Sequence, residues 1–271
     1  MGTPNLKRWA WALQIQQDWL AQHLPISYRD ADGSVTHFMG HTWQGGLRLR
    51  PQRPQVCVRC VHQNGYCKAV WDLHLACICP KHECLLSESC DVCAQPLRWN
   101  RPSVDVCNCM HTLRSRLPIQ DIEPLVHRWA SWLEVRLMSP SGEGEPMMAG
   151  IPSAVTPDGA FGVVMAFGMR ERAHQTLPAS IWRQRMQAEL IYAHLSRGLS
   201  RLQHTLMTRD WRQMAPVVSE QALQLVSHNQ VSSADRDFAD FLLQAIFPTH
   251  AGPTHGPRRK GQLSLPFGGF Q

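Results

Sequence analysis

The stretch from residue 57 to residue 109 reads CVRCVHQNGYCKAVWDLHLACICPKHECLLSESCDVCAQPLRWNRPSVDVCNC. Four close pairs of soft metal ligands lie in it: Cys57 with Cys60, Cys79 with His82, Cys90 with Cys93, and Cys107 with Cys109. A gap of one or two residues lets a tight turn aim both donors of a pair at one point. The segments of 18 residues after Cys60 and 13 residues after Cys93 are each long enough for a strand and its return. The stretch therefore predicts two metal sites built from consecutive pairs.

The donor types indicate zinc. A tetrahedral Zn²⁺ takes two ligands from each of two such turns. Pairing in sequence order predicts a first site of three cysteines with His82 and a second site of four cysteines. Because four protein ligands leave no open coordination position, we expect both zinc ions to be structural and no catalysis at either site.

Three of the ten cysteines, Cys67, Cys77 and Cys84, fall outside this assignment. Cys77 lies two residues before Cys79, so it is the residue best placed to replace an assigned ligand; otherwise all three are expected to be small buried apolar side chains. Disulfide bonds are the competing interpretation, but the chain begins without the apolar segment of a secretory signal. The longest apolar run, residues 161–169, is also too short to span a membrane. We therefore expect a soluble, cytosolic protein with reduced thiols.

The basic charge is weaker evidence for a nucleic-acid partner than it first looks. The formal net charge is +6. Seven ligand thiolates and two Zn²⁺ ions together lower it by three, to about +3. Arg48, Arg50 and Arg53 lead into the first ligand pair and are candidate contacts to nucleic acid or a partner, although a solvated basic surface explains them equally well.

The N-terminal part of the chain is predicted to hold one helix and connecting turns, residues 1–46. Trp9, Leu13, Leu20 and Leu24 have near-helical spacing, which predicts a helix over roughly residues 5–24. Asp-Gly and Gly-Gly pairs mark residues 25–46 as turns. In the zinc-binding domain, residues 47–138, alternation over 71–76 predicts a strand that leads to Cys79, and Pro80 forces the turn that brings His82 back.

The C-terminal part is predicted to be mostly helical. A helix over 124–138 closes the zinc domain, residues 139–158 form a linker centred on the Pro- and Gly-rich 139–146, and residues 159–247 form a helical domain. Its predicted elements are a short helix at 161–175, a long helix capped by Ser180, and two helices at 217–229 and 233–247. The last two suit a helix-turn-helix or a plain helical hairpin. Residues 248–271 read as a disordered basic tail.

The long helix carries four arginines on the side opposite its apolar stripe. These candidate contacts to a partner or nucleic acid are Arg183, Arg185, Arg197 and Arg201. The fold class expected overall is α+β, with a small zinc-ribbon-like double zinc module flanked by helices. The sequence contains no Walker-type phosphate loop and no nucleophile elbow or paired-carboxylate pattern, so we expect a protein that is not an enzyme.

The order of motifs around the ligands is similar to that of the TniQ family of transposon target-selection proteins. The matching features are Cys57-x2-Cys60, Gly65-Tyr66, Trp71-x-Leu73, Cys79-Pro80-x-His82, Leu85-Leu86, Cys90-x2-Cys93, Leu97 and Cys107-x-Cys109. They cover about residues 43–113. Residues 163–168 are more weakly similar to an apolar helix of the family that ends in glycine. Met110 stands where the family commonly has glycine after its last ligand pair.

The resemblance implies a non-catalytic adaptor in CRISPR-associated or related transposons. Such an adaptor binds the AAA+ transposition ATPase, of the TnsC or TniB type, and links it to an RNA-guided effector complex or to target DNA. The eight matched cysteine and histidine positions would carry over as zinc ligands. A second copy of the chain is a further candidate partner, and the expected location is the bacterial cytoplasm, at the nucleoid.

Two other classes of function compete with the adaptor. One is a stand-alone, zinc-containing DNA-binding regulator, which would bind duplex DNA tightly by itself. The other is a RING-like ubiquitin ligase, which the spacing disfavours, because a RING interleaves its ligands and places the next pair sooner after the histidine than the seven residues found here between His82 and Cys90.

Overall fold

The computed structural model describes residues 6–30, 33–44, 49–50, 53–139, 145–175, 186–228 and 232–248. Arg48, Ser180, Arg183 and Arg185 lie outside the described residues, as does the predicted tail from residue 249 onward.

The described residues form eight α-helices and five β-strands. The helices are α1 (Leu6–Leu13), α2 (Gln17–His23), α3 (Val58–Asn64), α4 (Pro124–Met138), α5 (Pro157–Gly168), α6 (Ala188–Thr208), α7 (Glu220–Ser227) and α8 (Ser233–Ile246). The strands are β1 (Ile26–Asp30), β2 (Gly33–Phe38), β3 (His41–Gln44), β4 (Ile78–Cys79) and β5 (Cys84–Leu85). The α+β class expected from the sequence is confirmed.

The prediction of a single N-terminal helix is wrong, because two short helices, α1 and α2, occupy its place. Gln14 ends α1 in a left-handed conformation with a φ of +55°. Its backbone N–H and its side-chain amide both donate to the carbonyl oxygen of Trp11. The break turns Ala10 and Leu20 inward and leaves Trp9 exposed, so the continuous apolar stripe of a single helix is not formed.

Residues 25–46 were expected to be turns, but most of them form a three-stranded antiparallel sheet in the order β1-β2-β3. Ile26 is opposite His37 at one end of the first pairing, and Phe38 is opposite His41 beside the second turn. The Asp-Gly pair of the sequence lies at the junction of two paired strands, β1 and β2. Buried Trp43 fastens this sheet to the core and donates its indole N–H to the carbonyl oxygen of Phe38.

The predicted strand at 71–76 is also absent. The chain there forms a 3₁₀ turn, Ala69–Asp72, followed by a further turn in which the Ala76 N–H donates to the carbonyl oxygen of Leu73. The alternation was misleading because His74, expected on the exposed face, is buried as well. The strand that does lead to the ligand pair is the two-residue β4, paired antiparallel with β5.

Helix α5 lies at the centre of the C-terminal half, and all of its residues are buried. It begins at Pro157, with Thr156 as its N-cap, which is earlier than the predicted helix at 161–175. Helix α6 crosses it so closely that a Cβ at Gly198 would lie 2.2 Å from the Val164 carbonyl oxygen. Glycine at 198 is therefore required by the helix crossing, although it lowers the intrinsic helix propensity of α6.

The other predicted helices differ in how well they match. Helices α4, α7 and α8 lie where the sequence predicts helices. Helix α6 begins at Ala188 with Gln187 as its N-cap, later than the predicted cap at Ser180. None of the helices in the described ranges is long and apolar enough to cross a membrane.

The two sides of the predicted linker share one continuous buried core. Arg136 of α4 is buried and donates to the carbonyl oxygen of Ser153. Trp132 donates its indole N–H to the carbonyl oxygen of Glu145. Helix α4 also packs against α6, so the segment at 139–146 connects two parts that are in direct contact.

Candidate metal centres

The first cluster consists of the ligands predicted for the first site, Cys57, Cys60, Cys79 and His82. Cys57 is the N-cap of α3 and Cys60 lies in its first turn, so the helix start places both sulfurs on one side. Cys79 ends β4, and the turn at Pro80 returns His82 to it.

The donor distances of this cluster suit one four-coordinate ion. The Sγ atoms of Cys60 and Cys79 are 3.6 Å apart, and His82 Nδ1 lies 3.3 Å from Cys57 Sγ and 3.2 Å from Cys60 Sγ. Metal–sulfur bonds of about 2.3 Å and metal–nitrogen bonds of about 2.0 Å predict tetrahedral edges of about 3.8 Å between sulfurs and about 3.5 Å from sulfur to nitrogen. The side chains are therefore already arranged around a common centre.

The second cluster consists of Cys90, Cys93, Cys107 and Cys109. The Sγ atoms of Cys90 and Cys109 are 3.7 Å apart, and those of Cys93 and Cys107 are 3.8 Å apart, which are again tetrahedral edges. Met110, just after this cluster, has a φ of +67°. A left-handed backbone of this kind favours glycine, so Met110 is held in a conformation that side chains rarely adopt.

The grouping of ligands predicted from the sequence is therefore confirmed for all eight residues, and each cluster can hold one metal ion. Cys77 lies outside both clusters, and burial raises the pKa of its thiol to about 12. It behaves as a small buried apolar residue. Burial also raises the pKa of Cys60, with the neighbouring Cys79 adding to the effect. Since a metal binds the thiolate, metal binding must release protons.

Arg50, predicted to contact nucleic acid or a partner, is instead buried inside the protein with 3% of its side chain exposed. Its guanidinium donates to a Glu88 carboxylate oxygen at 2.6 Å and to the Met186 carbonyl oxygen at 3.0 Å. Glu88 also accepts the Ala188 N–H at 2.6 Å. These contacts join the metal-binding region to the start of α6, so the expectation for Arg50 is corrected. Arg53 is exposed, as a contact residue must be.

Arg197 and Arg201 also have internal partners. Arg197 donates to the carbonyl oxygen of Gly168, and Arg201 donates to the carbonyl oxygens of Phe167 and Arg170. The Phe167 and Gly168 carbonyls end α5, and Arg170 follows directly after its C-cap. Cations are favourable there because helix C-terminal carbonyls lack partners within the helix. The predicted outward-facing arginine stripe is therefore corrected for these two residues, which cap α5.

Helices α7 and α8 pack against each other as a hairpin. Helix α8 carries Asp235, Asp237 and Asp240 against a single basic residue, Arg236. Asp235 is buried, so it adds no charge to the surface of this helix. The structure therefore contains the helix pair that both interpretations predict.

Two features of the structure had no signal in the sequence. The first is the contact of Glu88 with Arg50 and Ala188, which joins residues 38 and 100 positions apart. The second is buried Asp235, which accepts both the N–H and the hydroxyl of Thr156. Burial raises the pKa of Asp235 to about 6. Each joins elements that are distant in the chain.

The N-terminal helices expose three tryptophans, Trp9, Trp11 and Trp19. Their exposed fractions are 56%, 76% and 50%. The Trp19 ring stacks on His23 at 4.0 Å between ring centres, so it is held in place rather than extended into solvent. Exposed tryptophans are enriched in protein interfaces.

Fold and clusters together define an α+β protein with two cysteine-rich sites, each able to hold one metal ion. No family model and no curated protein matches the chain.

Proposed function

We propose that both clusters bind zinc in a structural role. The donors are seven cysteine sulfurs and one imidazole nitrogen, which are the ligands that zinc prefers in closed tetrahedral sites. Each cluster supplies four donors, which leaves no open position for a substrate. Strands β4 and β5 have only two residues each, so metal binding would supply much of the folding free energy of this region.

We propose further that the chain is a non-catalytic adaptor in transposition. It would link an AAA+ transposition ATPase of the TnsC or TniB type to a target-recognition device, either an RNA-guided CRISPR effector or DNA itself. The observation that carries this proposal is that the ligand pairs of the TniQ-like motif converge on two closed clusters. A closed site organises a surface for partners and performs no reaction.

The exposed tryptophans of α1 and α2 are the proposed contacts to the ATPase. Tryptophan is strongly enriched among the residues that dominate binding energy in protein interfaces. Arg48, Arg53, Arg183 and Arg185 remain the candidate contacts to the effector or to DNA. Arg50, Arg197 and Arg201 are left out of this role, because their guanidinium groups are engaged inside the protein.

A pull-down with the purified ATPase tests the first contact. Replacing Trp9 and Trp11 with alanine should reduce ATPase binding at least tenfold, while the zinc content stays at the wild-type value. Leu225→Ala on α7 is the matched control, since Leu225 is also apolar and 54% exposed. Wild-type binding to neither the ATPase nor the effector would contradict the adaptor proposal.

A second assay on the same protein distinguishes the adaptor from the alternative, a stand-alone DNA-binding regulator. A regulator should bind duplex DNA tightly without any partner, with affinity that falls steeply as salt rises. The adaptor working through an RNA-guided effector should bind duplex DNA weakly by itself.

A further inference from the structure

Cys84 lies directly beside the first cluster, although the sequence pattern leaves it unassigned. Its side chain is buried, and its Sγ lies 3.7 Å from the Sγ of Cys57. Its Cα is paired with that of Cys79 across β4 and β5. A fifth donor, and the fourth sulfur, therefore borders a set of four donors that already suffices for one ion.

The distance from Cys84 to Cys57 is the distance expected between two ligands of the same ion. Neighbouring sulfurs around four-coordinate zinc lie about 3.8 Å apart. Cys84 is nevertheless outside the group of four donors that all lie within 4.8 Å of one another. Rotation of its side chain to another χ1 rotamer moves the sulfur while β5 stays in place. That rotation is the movement by which Cys84 would enter the ligand shell.

His82 is the ligand that Cys84 is placed to replace. It is the only member of the first cluster that is not buried. It is also the only neutral donor there, because the three cysteines bind as thiolates. It stands in a tight turn, where the next residue, Glu83, has a φ of +49°. A neutral donor in a turn at the edge of the site is the one most easily displaced.

We propose that Cys84 is an exchange ligand of the first metal site. When His82 leaves, the bond from zinc to Nδ1 breaks, a bond from zinc to Cys84 Sγ forms, and the thiol proton passes to water. The ion then stays bound by four cysteines while the turn that carries His82 can open. The inference rests on the zinc proposed above for this cluster.

Metal counting on the full chain tests the exchange. Zinc per chain is measured after dialysis against a competing chelator for wild type, His82→Ala, Cys84→Ser and the double variant. The expected counts are two for wild type and for each single variant, and one for the double variant. Cys77→Ser, which removes a buried cysteine outside both clusters, is the matched control and should retain two.

Cobalt substitution shows which donors bind. In His82→Ala, the sulfur-to-cobalt charge-transfer absorption should increase above that of wild type by the contribution of one thiolate. In the double variant it should fall to that of the second cluster alone. If the His82→Ala variant held only one ion per chain, the same count as the double variant, the exchange proposal would be overturned. Fewer than two ions in wild type would overturn the zinc sites themselves, and the exchange with them.

A kinetic measurement covers the case in which His82→Ala does not fold. Zinc release from the first site to a chelator should be at least tenfold faster in Cys84→Ser than in wild type, because a departing His82 then has no replacement. Cys77→Ser should release zinc at the wild-type rate. Equal rates in all three proteins would overturn the proposal.

Discussion

Replacing Glu88 with glutamine tests the contact that joins the metal-binding region to α6. In the wild type, the Glu88 side chain is 22% exposed and its partner Arg50 only 3% exposed. The variant keeps the shape of the side chain and one acceptor oxygen for the Ala188 N–H, but it leaves the Arg50 charge without its counter-ion. Removing one partner of a buried ion pair costs about 3 to 5 kcal/mol. Because Glu88 is partly exposed, we expect a loss of about 3 kcal/mol in the free energy of unfolding.

Urea unfolding of the zinc-loaded protein measures this loss, and a double-mutant cycle separates the pair from its surroundings. Arg50→Met with Glu88→Gln should be more stable than the sum of the single losses predicts, by about 2 kcal/mol, since no unpaired charge is then buried. Glu134→Gln is the control. Its pairing with Lys68 is about one quarter exposed on both sides, and such pairs contribute about 0 to 1 kcal/mol. A Glu88→Gln loss no larger than that of the control, or strict additivity in the cycle, would refute the argument.

Three further predictions follow from single features. Elemental analysis of the purified chain should give two zinc ions, unchanged by Cys77→Ser and lowered by Cys93→Ser in the second cluster; a count of one or none in wild type would contradict the sites. Gly198→Ala should lower the free energy of unfolding by about 1 to 3 kcal/mol, because its Cβ would lie 2.2 Å from the Val164 carbonyl oxygen; the gain of about 1 kcal/mol that helix propensity predicts would be the opposite result. Burial raises the pKa of Asp235 to about 6 from an ordinary 3.8, so the folded state binds this proton more tightly and stability falls as pH rises through about 4 to 6. The free energy of unfolding of Asp235→Asn minus that of wild type should therefore increase by up to about 3 kcal/mol across that window. Above it, this difference should stay constant. Comparing both proteins at each pH cancels metal loss common to the two, and a pH-independent difference would count against the raised pKa.

The metal clusters were predictable because their information is local. The spacing of Cys57 with Cys60 and of Cys90 with Cys93 sets the geometry of each short turn, whatever the rest of the chain does. Helix α4 was equally predictable, since Pro124 suits a first turn and a regular apolar stripe follows it.

The N-terminal sheet was missed because turn-forming dipeptides mark a hairpin and a loop alike. The partners decide between them, and the pairing of Phe38 with His41 and the burial of Trp43 depend on contacts with the rest of the core. The apparent strand at 71–76 fails for the same reason. Its polar residue His74 accepts the Met186 N–H at 3.1 Å, a contact across more than a hundred positions that periodicity does not contain.

By itself, the sequence determined which residues form the two metal clusters, where α4, α7 and α8 lie, and that the protein belongs to the α+β class, because short spacings and regular periods act between near neighbours. Only the tertiary structure decided what the charged side chains do. An arginine on a helix can face solvent or cap another helix, and Arg201 caps α5 because α6 crosses α5 closely at Gly198. Arg50 likewise lies inside the protein, where its guanidinium donates to the Glu88 carboxylate and to the Met186 carbonyl oxygen. Long-range packing sets the partners of these groups, and local sequence patterns do not record it.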